Sequence, residues 1–369
     1  MKQKILFITP GLFKGGAETQ LLKVARFFKS KQHEVMVISL KPINSFGTEL
    51  EKEGISVLYL KNWSTHFVSN GFTLFKALGT YRADVVIAFM FIAIIFARLL
   101  KIWFRFKLIS TIRISVIKKK WYLLFKMTRG LDDAVVYNSY SSKVSFENQK
   151  LVLKEGIVIN NSVDIPAIKS NGSPLRQSKP FVWICIAHFK YNKDYPTLFK
   201  AMSLIKGNNV LLQIVGNLHN QSWPHQMIKA LKIQESVQLL GHKHNPESYL
   251  AVADAFVLSS FCEGMSNSLM EAMAYAKPIV ATDISCNKEL VEGAACGFLS
   301  KQEDAEDLAR QMSEVMNYSL QERAILGSRG RQYIATNFSE EKVMQDWQAV
   351  INQVTKNQAI HTSELSAIS

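Results

Sequence analysis

Short apolar runs separated by amphipathic stretches recur along almost the whole chain. The first, at 4–9, holds Ile5, Leu6, Phe7 and Ile8 and runs into a glycine loop, after which Leu21, Leu22, Ala25 and Phe28 mark one face of a helix over 17–30. A strand, a loop and a helix are predicted in that order. Further strands are predicted at 35–40, 56–60, 84–90, 108–113, 134–138 and 156–160. The runs lack polar alternation, as strands of a parallel sheet covered on both faces do. Pro166, Asn171, Gly172, Pro174 and Pro180 then crowd into a polar stretch that reads as an interdomain linker. The alternation restarts at 181–187, 210–215, 237–240, 255–259 and 278–282. Two doubly wound, Rossmann-like α/β domains follow, at 1–163 and 181–338, joined by a linker over 164–180. Val343, Trp347, Val350, Ile351 and Val354 share one side of a helix over 339–357 that is expected to return to the first domain, and 358–369 reads as a loose tail.

Composition narrows the class. With 369 residues, 48 % of them hydrophobic and 20 % charged, the chain is globular and long for one core. Pro10 and Gly11 arrive too early for a signal-peptide core, and the uncharged run at 85–97 is shorter than the roughly 20 residues that cross a bilayer. A cytoplasmic location is therefore expected. Cys185, Cys262, Cys286 and Cys296 form no C-x-x-C pair and read as reduced core or loop thiols, so no metal site is expected.

The net charge of +14 is unevenly spread. Between Val85 and Leu131 stand ten basic residues and no acid, with Trp103, Phe104, Phe106, Trp121 and Phe125 interleaved. That pattern suits the surface of an anionic bilayer. Arg98, Lys101, Arg105, Lys118, Lys119, Lys120 and Lys126 are assigned to membrane contact, and peripheral attachment to the inner face of the cell membrane is expected. The other reading takes the aromatic residues as core and the lysines as a solvated face. No nucleic-acid module is visible, so no such partner is expected.

The loop after 255–259 carries candidate chemistry. Glu263 stands in the loop, a helix begins near Ser266 or Asn267, and Glu271 follows one turn later on the same side. Free N–H groups at a helix start favour phosphate, Glu271 is placed to accept from vicinal ribose hydroxyls, and Glu263 is left to face a sugar. A plain helix charge and an ordinary loop acid are the alternative. An acid within Leu269-Met270-Glu271-Ala272-Met273-Ala274 argues against it, because burial penalises an unpaired charge.

These residues carry a resemblance. The stretch 257–283, with Glu263-Gly264, Glu271-Ala272-Met273-Ala274 and Pro278-Ile279-Val280-Ala281-Thr282-Asp283, resembles the retaining glycosyltransferases of family 4, the group 1 enzymes of GT-B fold. Gly15-Gly16-Ala17-Glu18 is similar to that family's N-terminal glycine loop, 186–193 to its phosphate loop, and 158–164 to its connection into the second domain. The resemblance implies two Rossmann-like domains facing each other across a cleft. It implies that Lys193 and His188 meet the donor diphosphate, Glu271 the ribose and catalytic Glu263 the transferred sugar, with Asn267, Ser268 and Leu269 also at the donor. Gly15 and Gly16 are assigned to donor binding as well, although a tight turn explains them equally.

Departures from the family pattern are specific. His188 stands where most relatives have arginine, no histidine follows the fourth strand at Ala88-Phe89-Met90-Phe91, and Ser162 and Ala276 replace glycines. The resemblance implies sugar transfer with retention, from a nucleotide diphosphate sugar to a lipid-linked or growing surface glycan, without metal or other cofactor. A nucleotide-sugar epimerase and a non-catalytic scaffold of the same fold are the alternatives.

Overall fold

In the computed structural model of the protein, residues 2–13, 15–114, 117–167 and 180–366 are described, with side chains through Lys356. Much of the linker read from the sequence thus lies outside the described residues. The chain divides into two units, one of residues 1–162 with 341 onward, the other of 163–340.

The first unit contains a seven-stranded sheet: β1 (Lys4–Thr9), β2 (Glu34–Ser39), β3 (Ser56–Tyr59), β4 (Val85–Phe89), β5 (Lys107–Ile112), β6 (Ala134–Tyr137) and β7 (Ile157–Val158). Its order is β3-β2-β1-β4-β5-β6-β7, and every pairing is parallel. All five residues of β4 are buried, which is why that run shows no polar alternation. One apolar cluster centres on Leu6, Ala88 and Phe125, and another on Phe7, Phe28 and Val85. The helix Glu340–Ser366 lays Val343, Trp347, Val350, Ile351 and Val354 into the second cluster, where Trp347 stacks on Phe89 with ring centroids 6.2 Å apart. It runs past the end read from its apolar stripe, because nothing in 340–366 breaks a helix: the segment holds neither proline nor glycine.

The second unit contains β8 (Phe181–Ile186), β9 (Val210–Val215), β10 (Val237–Gly241), β11 (Ala255–Leu258), β12 (Ile279–Thr282) and β13 (Gly297–Ser300), in the order β10-β9-β8-β11-β12-β13. The edge strand β13 was not read from the sequence: its four residues begin with glycine, whose missing side chain lets it lie against β12. A β-carbon on Gly297 would fall 1.8 Å from the Ile279 carbonyl oxygen. Ala276, which stands where the family pattern has glycine, sits at φ +54°, a left-handed conformation that costs a residue with a β-carbon roughly 1–2 kcal/mol.

Candidate active site

Where the strand order of a parallel sheet reverses, loops leaving the two strands diverge and open a crevice at their carboxyl ends. In the second sheet the reversal lies between β8 and β11. The loop after β8 carries Lys193 in the short helical turn Tyr191–Lys193, and the loop after β11 carries Glu263. Three hydrogen bonds join the loops: Phe261 N–H to the Asn192 carbonyl (3.1 Å), Asn192 Nδ2 to the Cys262 carbonyl (2.9 Å) and Ser259 Oγ to the Lys193 carbonyl (2.8 Å). Across this seam Lys193 Nζ pairs with Glu263 Oε1, both side chains largely buried. The sequence reading gave these residues separate partners. In this structure each neutralises the other, so a diphosphate must compete with Glu263 for the ammonium.

Helix Asn267–Ala274 follows directly. Leu269, Met270, Ala272 and Met273 are buried, while Asn267, Ser268 and Glu271 are half-buried on the opposite side, as a 3.6-residue period requires. With its side chain in the core, Leu269 can meet a ligand only through its backbone. Ser266 does not cap the helix with its side chain, which donates instead to Asn287 Oδ1 at 2.7 Å. Asn287 Nδ2 in turn donates to the Thr282 carbonyl at 3.0 Å and ties the helix start to β12.

His188 lies in the same loop as Lys193. Its Nδ1 accepts from the Asn217 N–H at 3.0 Å, so the neutral ring carries its proton on Nε2. Burial first, then Lys190, His219, His242 and Lys193, hold its pKa below the usual value. Gly216 lets the β9 loop close on it: a β-carbon there would fall 1.9 Å from the Ala187 carbonyl oxygen.

Gly15 and Gly16 belong to the first unit. They stand at the carboxyl end of β1, beside that sheet's reversal between β1 and β4. Gly15 is the N-cap of Gly16–Ser30 and its φ of −152° is extended, so it makes no left-handed turn. A β-carbon on it would fall 2.6 Å from Glu18 Oε2.

Two further residues at this carboxyl edge had no signal in the sequence. Met90, directly after β4, has φ +68° and ψ 162°, a region that costs a non-glycine residue about 1–3 kcal/mol. Arg113, after β5, is buried, donates through Nη1 to Asn161 Oδ1 and lies 4.9 Å over the Phe89 ring. Among the described residues its Nε has no hydrogen-bond partner, and burial pushes its pKa down to about 9.

The basic segment needs correcting. Arg98 is fully buried and cannot meet a membrane: its Nε and Nη2 donate to the Asp132 carboxylate at 2.9 and 2.6 Å, and Nη1 to the Phe125 carbonyl at 3.0 Å. Lys101 is mostly buried, pairs with Asp133 and donates to the Leu131 carbonyl, so it too leaves the membrane assignment. Lys107 lies 3.8 Å from the same Asp133 carboxylate. The acid-free interval ends one residue short of these two aspartates. Arg105, Lys118, Lys119, Lys120 and Lys126 are exposed. Among the described residues no helix is long and apolar enough to cross a membrane, and all four cysteines are free, three of them buried.

Two parallel-sheet Rossmann-like domains are the architecture of the GT-B fold, and in the second of them a lysine–glutamate contact and a helix start lie at the sheet's reversal. Residues 168–333 match the model of the family described as glycosyl transferases group 1. It is 25 % identical over 210 residues to an uncharacterised glycosyltransferase of Haemophilus influenzae, covering 56 % of this chain and 59 % of that protein. It is 21 % identical over 266 residues to the capsular polysaccharide biosynthesis glycosyltransferase CapM of Staphylococcus aureus, covering 66 % of this chain and 69 % of that one. The chain thus spans about three fifths to two thirds of these relatives' lengths. The crystal structure of HepE from Anabaena, in complex with UDP and glucose, shares the fold with a TM-score of 0.82 and 22 % identity, over 95 % of this chain and 99 % of that one.

Proposed function

We propose that the protein is a retaining, metal-independent glycosyltransferase. It moves a sugar from a nucleotide diphosphate sugar to a lipid-linked or growing surface glycan at the inner face of the cell membrane. The observation that carries the transfer reading is the Lys193–Glu263 contact beside the start of Asn267–Ala274, inside the matched segment 168–333. Lys193 and the helix start stabilise the charge that grows on the departing diphosphate. Glu263 faces the oxocarbenium-like sugar, Glu271 holds the ribose, and the leaving phosphate takes the acceptor's proton on the face it leaves. A relative named for capsular polysaccharide biosynthesis supports a surface-glycan acceptor.

A thermal-shift screen against UDP- and GDP-sugars tests the donor, since a ligand of the folded state raises its apparent stability. No shift with any of them sinks the reading, and an epimerised donor in the absence of acceptor replaces it with an epimerase. In the same assay Glu271→Ala is expected to weaken nucleotide binding by about 1.5–3 kcal/mol, the worth of a charged hydrogen bond. Wild-type affinity in the folded variant removes Glu271 from the site.

The membrane reading rests on the first unit. Helix Trp63–Tyr81 buries only Asn70, Leu74 and Leu78, and it leaves Phe67 and Phe72 70 % and 72 % exposed. Phe75 of this helix packs on Trp103 with centroids 5.6 Å apart, next to exposed Ile102. Leu123 and Met127, 71 % and 75 % exposed, stand among Lys118, Lys119, Lys120 and Lys126. Proteins seldom leave so much apolar helix surface to water without a use, and cations beside it fit an anionic bilayer's headgroup boundary. Replacing the four lysines with Gln is expected to weaken binding to phosphatidylglycerol vesicles by about 1 kcal/mol per lysine at low salt. Nucleotide affinity should stay at the wild-type level. Co-sedimentation at low and high salt measures both the ionic and the apolar part, and wild-type protein that ignores the vesicles at every salt concentration makes this a solvated face.

A further inference from the structure

Arg113 is a charge that the first unit buries without neutralising. It follows β5 directly and is 7 % exposed. A guanidinium carries five N–H donors and no acceptor. Here Nη1 donates to Asn161 Oδ1 and the guanidinium lies over the Phe89 ring, while Nε has no partner among the described residues. Burial alone moves its pKa, with no carboxylate opposing. Buried arginines are ordinarily paired, because a charge taken out of water without a counter-charge costs the fold. Arg98, in the same unit, shows the ordinary solution: Nε, Nη1 and Nη2 are all bonded, two of them to a carboxylate.

The surroundings are short of negative charge too. Thr111 stands beside Phe89 in register, so the two face the same side of the sheet, and among the described residues its buried Oγ1 has no partner either. Helix Phe91–Leu100 begins two residues after Phe89, with no capping side chain and no acid in its first turn. The positive end of its dipole is therefore uncompensated by its own side chains. These groups lie at the carboxyl edge of the sheet, on the strands next to its reversal between β1 and β4, where an α/β sheet takes its ligands.

We propose that Arg113 anchors an anion subsite in the first unit that takes a phosphate of the sugar acceptor; this rests on the transfer reading above. The Nε and Nη2 edge of the fork presents two parallel N–H donors, which match two oxygens of one phosphate. An arginine kept for a ligand is left unpaired in the fold, as this one is. Lipid-linked diphosphates and soluble phosphorylated sugars both carry the group, and a prenyl chain separates the two sources.

The test is titration calorimetry of the full chain saturated with UDP, which fills the donor site. Farnesyl diphosphate, a short stand-in for a lipid-linked acceptor, and inorganic pyrophosphate are the probes, and both are expected to bind. Arg113→Gln should weaken both by about ten- to a hundredfold, the worth of a charge-assisted bond, and leave UDP affinity unchanged. Arg113→Lys should fall in between. In thermal melts Arg113→Gln should unfold no earlier than wild type, since it removes a charge that burial penalises. Tighter binding of farnesyl diphosphate than of pyrophosphate assigns the site to a lipid-linked acceptor, and equal binding to a soluble phosphate ester. Diphosphate affinity unchanged in Arg113→Gln, or no diphosphate binding by the UDP-saturated wild type, overturns the inference and leaves the donor reading standing. A variant that melts well below wild type or loses UDP makes Arg113 a structural residue and overturns it as well. No UDP binding by the wild type overturns both.

Discussion

Replacing Glu263 with alanine is expected to lower turnover a hundredfold or more while the nucleotide binds at least as tightly as to wild type. The two effects separate because Glu263 has two neighbours in the proposed cycle. Its carboxylate pairs with Lys193, and removing it frees a largely buried ammonium for the diphosphate. It also supplies the negative charge facing the transferred sugar, and loss of one such preorganised group costs on the order of 10²–10³ in rate. Lys193→Ala should do the reverse, weakening nucleotide diphosphate by about 1.5–3 kcal/mol and leaving the bare nucleoside untouched. Titration calorimetry and steady-state kinetics on both variants decide this. If Glu263→Ala loses nucleotide affinity as severely as Lys193→Ala, Glu263 only positions the lysine and its catalytic assignment falls.

Arg98→Leu is expected to destabilise the protein by about 3–5 kcal/mol, the cost of stranding a buried carboxylate. Asp132 accepts from Arg98 Nε and Nη2 and from Ser110 Oγ, and the guanidinium also lies 4.0 Å over the Phe125 ring, so every part of the pair is satisfied. Removing both charges together, as Arg98→Leu with Asp132→Asn, should recover most of the loss, because desolvation of the two ions cancels much of their attraction. Urea denaturation of both variants measures it. A single variant as stable as wild type means that water reaches Asp132.

The parallel strands were legible because burial on both faces writes itself as an unbroken apolar run, as in β1 and β4. The chemistry of 257–283 was legible because it occupies one contiguous loop and helix. What escaped depends on contacts distant in sequence. Arg98 was read as a membrane cation since its partner Asp132 lies just beyond the acid-free interval, 34 residues along the chain. His188, His219 and His242 meet through three loops, which no local spacing encodes. One signal was available and unread: from Ile55 to Leu131 the sole acid is Asp84, so the acid-poor region already included helix Trp63–Tyr81 and its exposed phenylalanines.

The returning helix has a consequence during synthesis. Phe89, at the end of a central strand of the amino-terminal unit, waits for Trp347 as its stacking partner. Roughly 250 residues must be translated in between, which at about 5–20 residues per second takes tens of seconds. Through that time a strip of the first sheet faces solvent and any chaperone that meets it. The unit made first is therefore the one finished last, and a ribosome that stalls late in the message releases a chain with its oldest half still open.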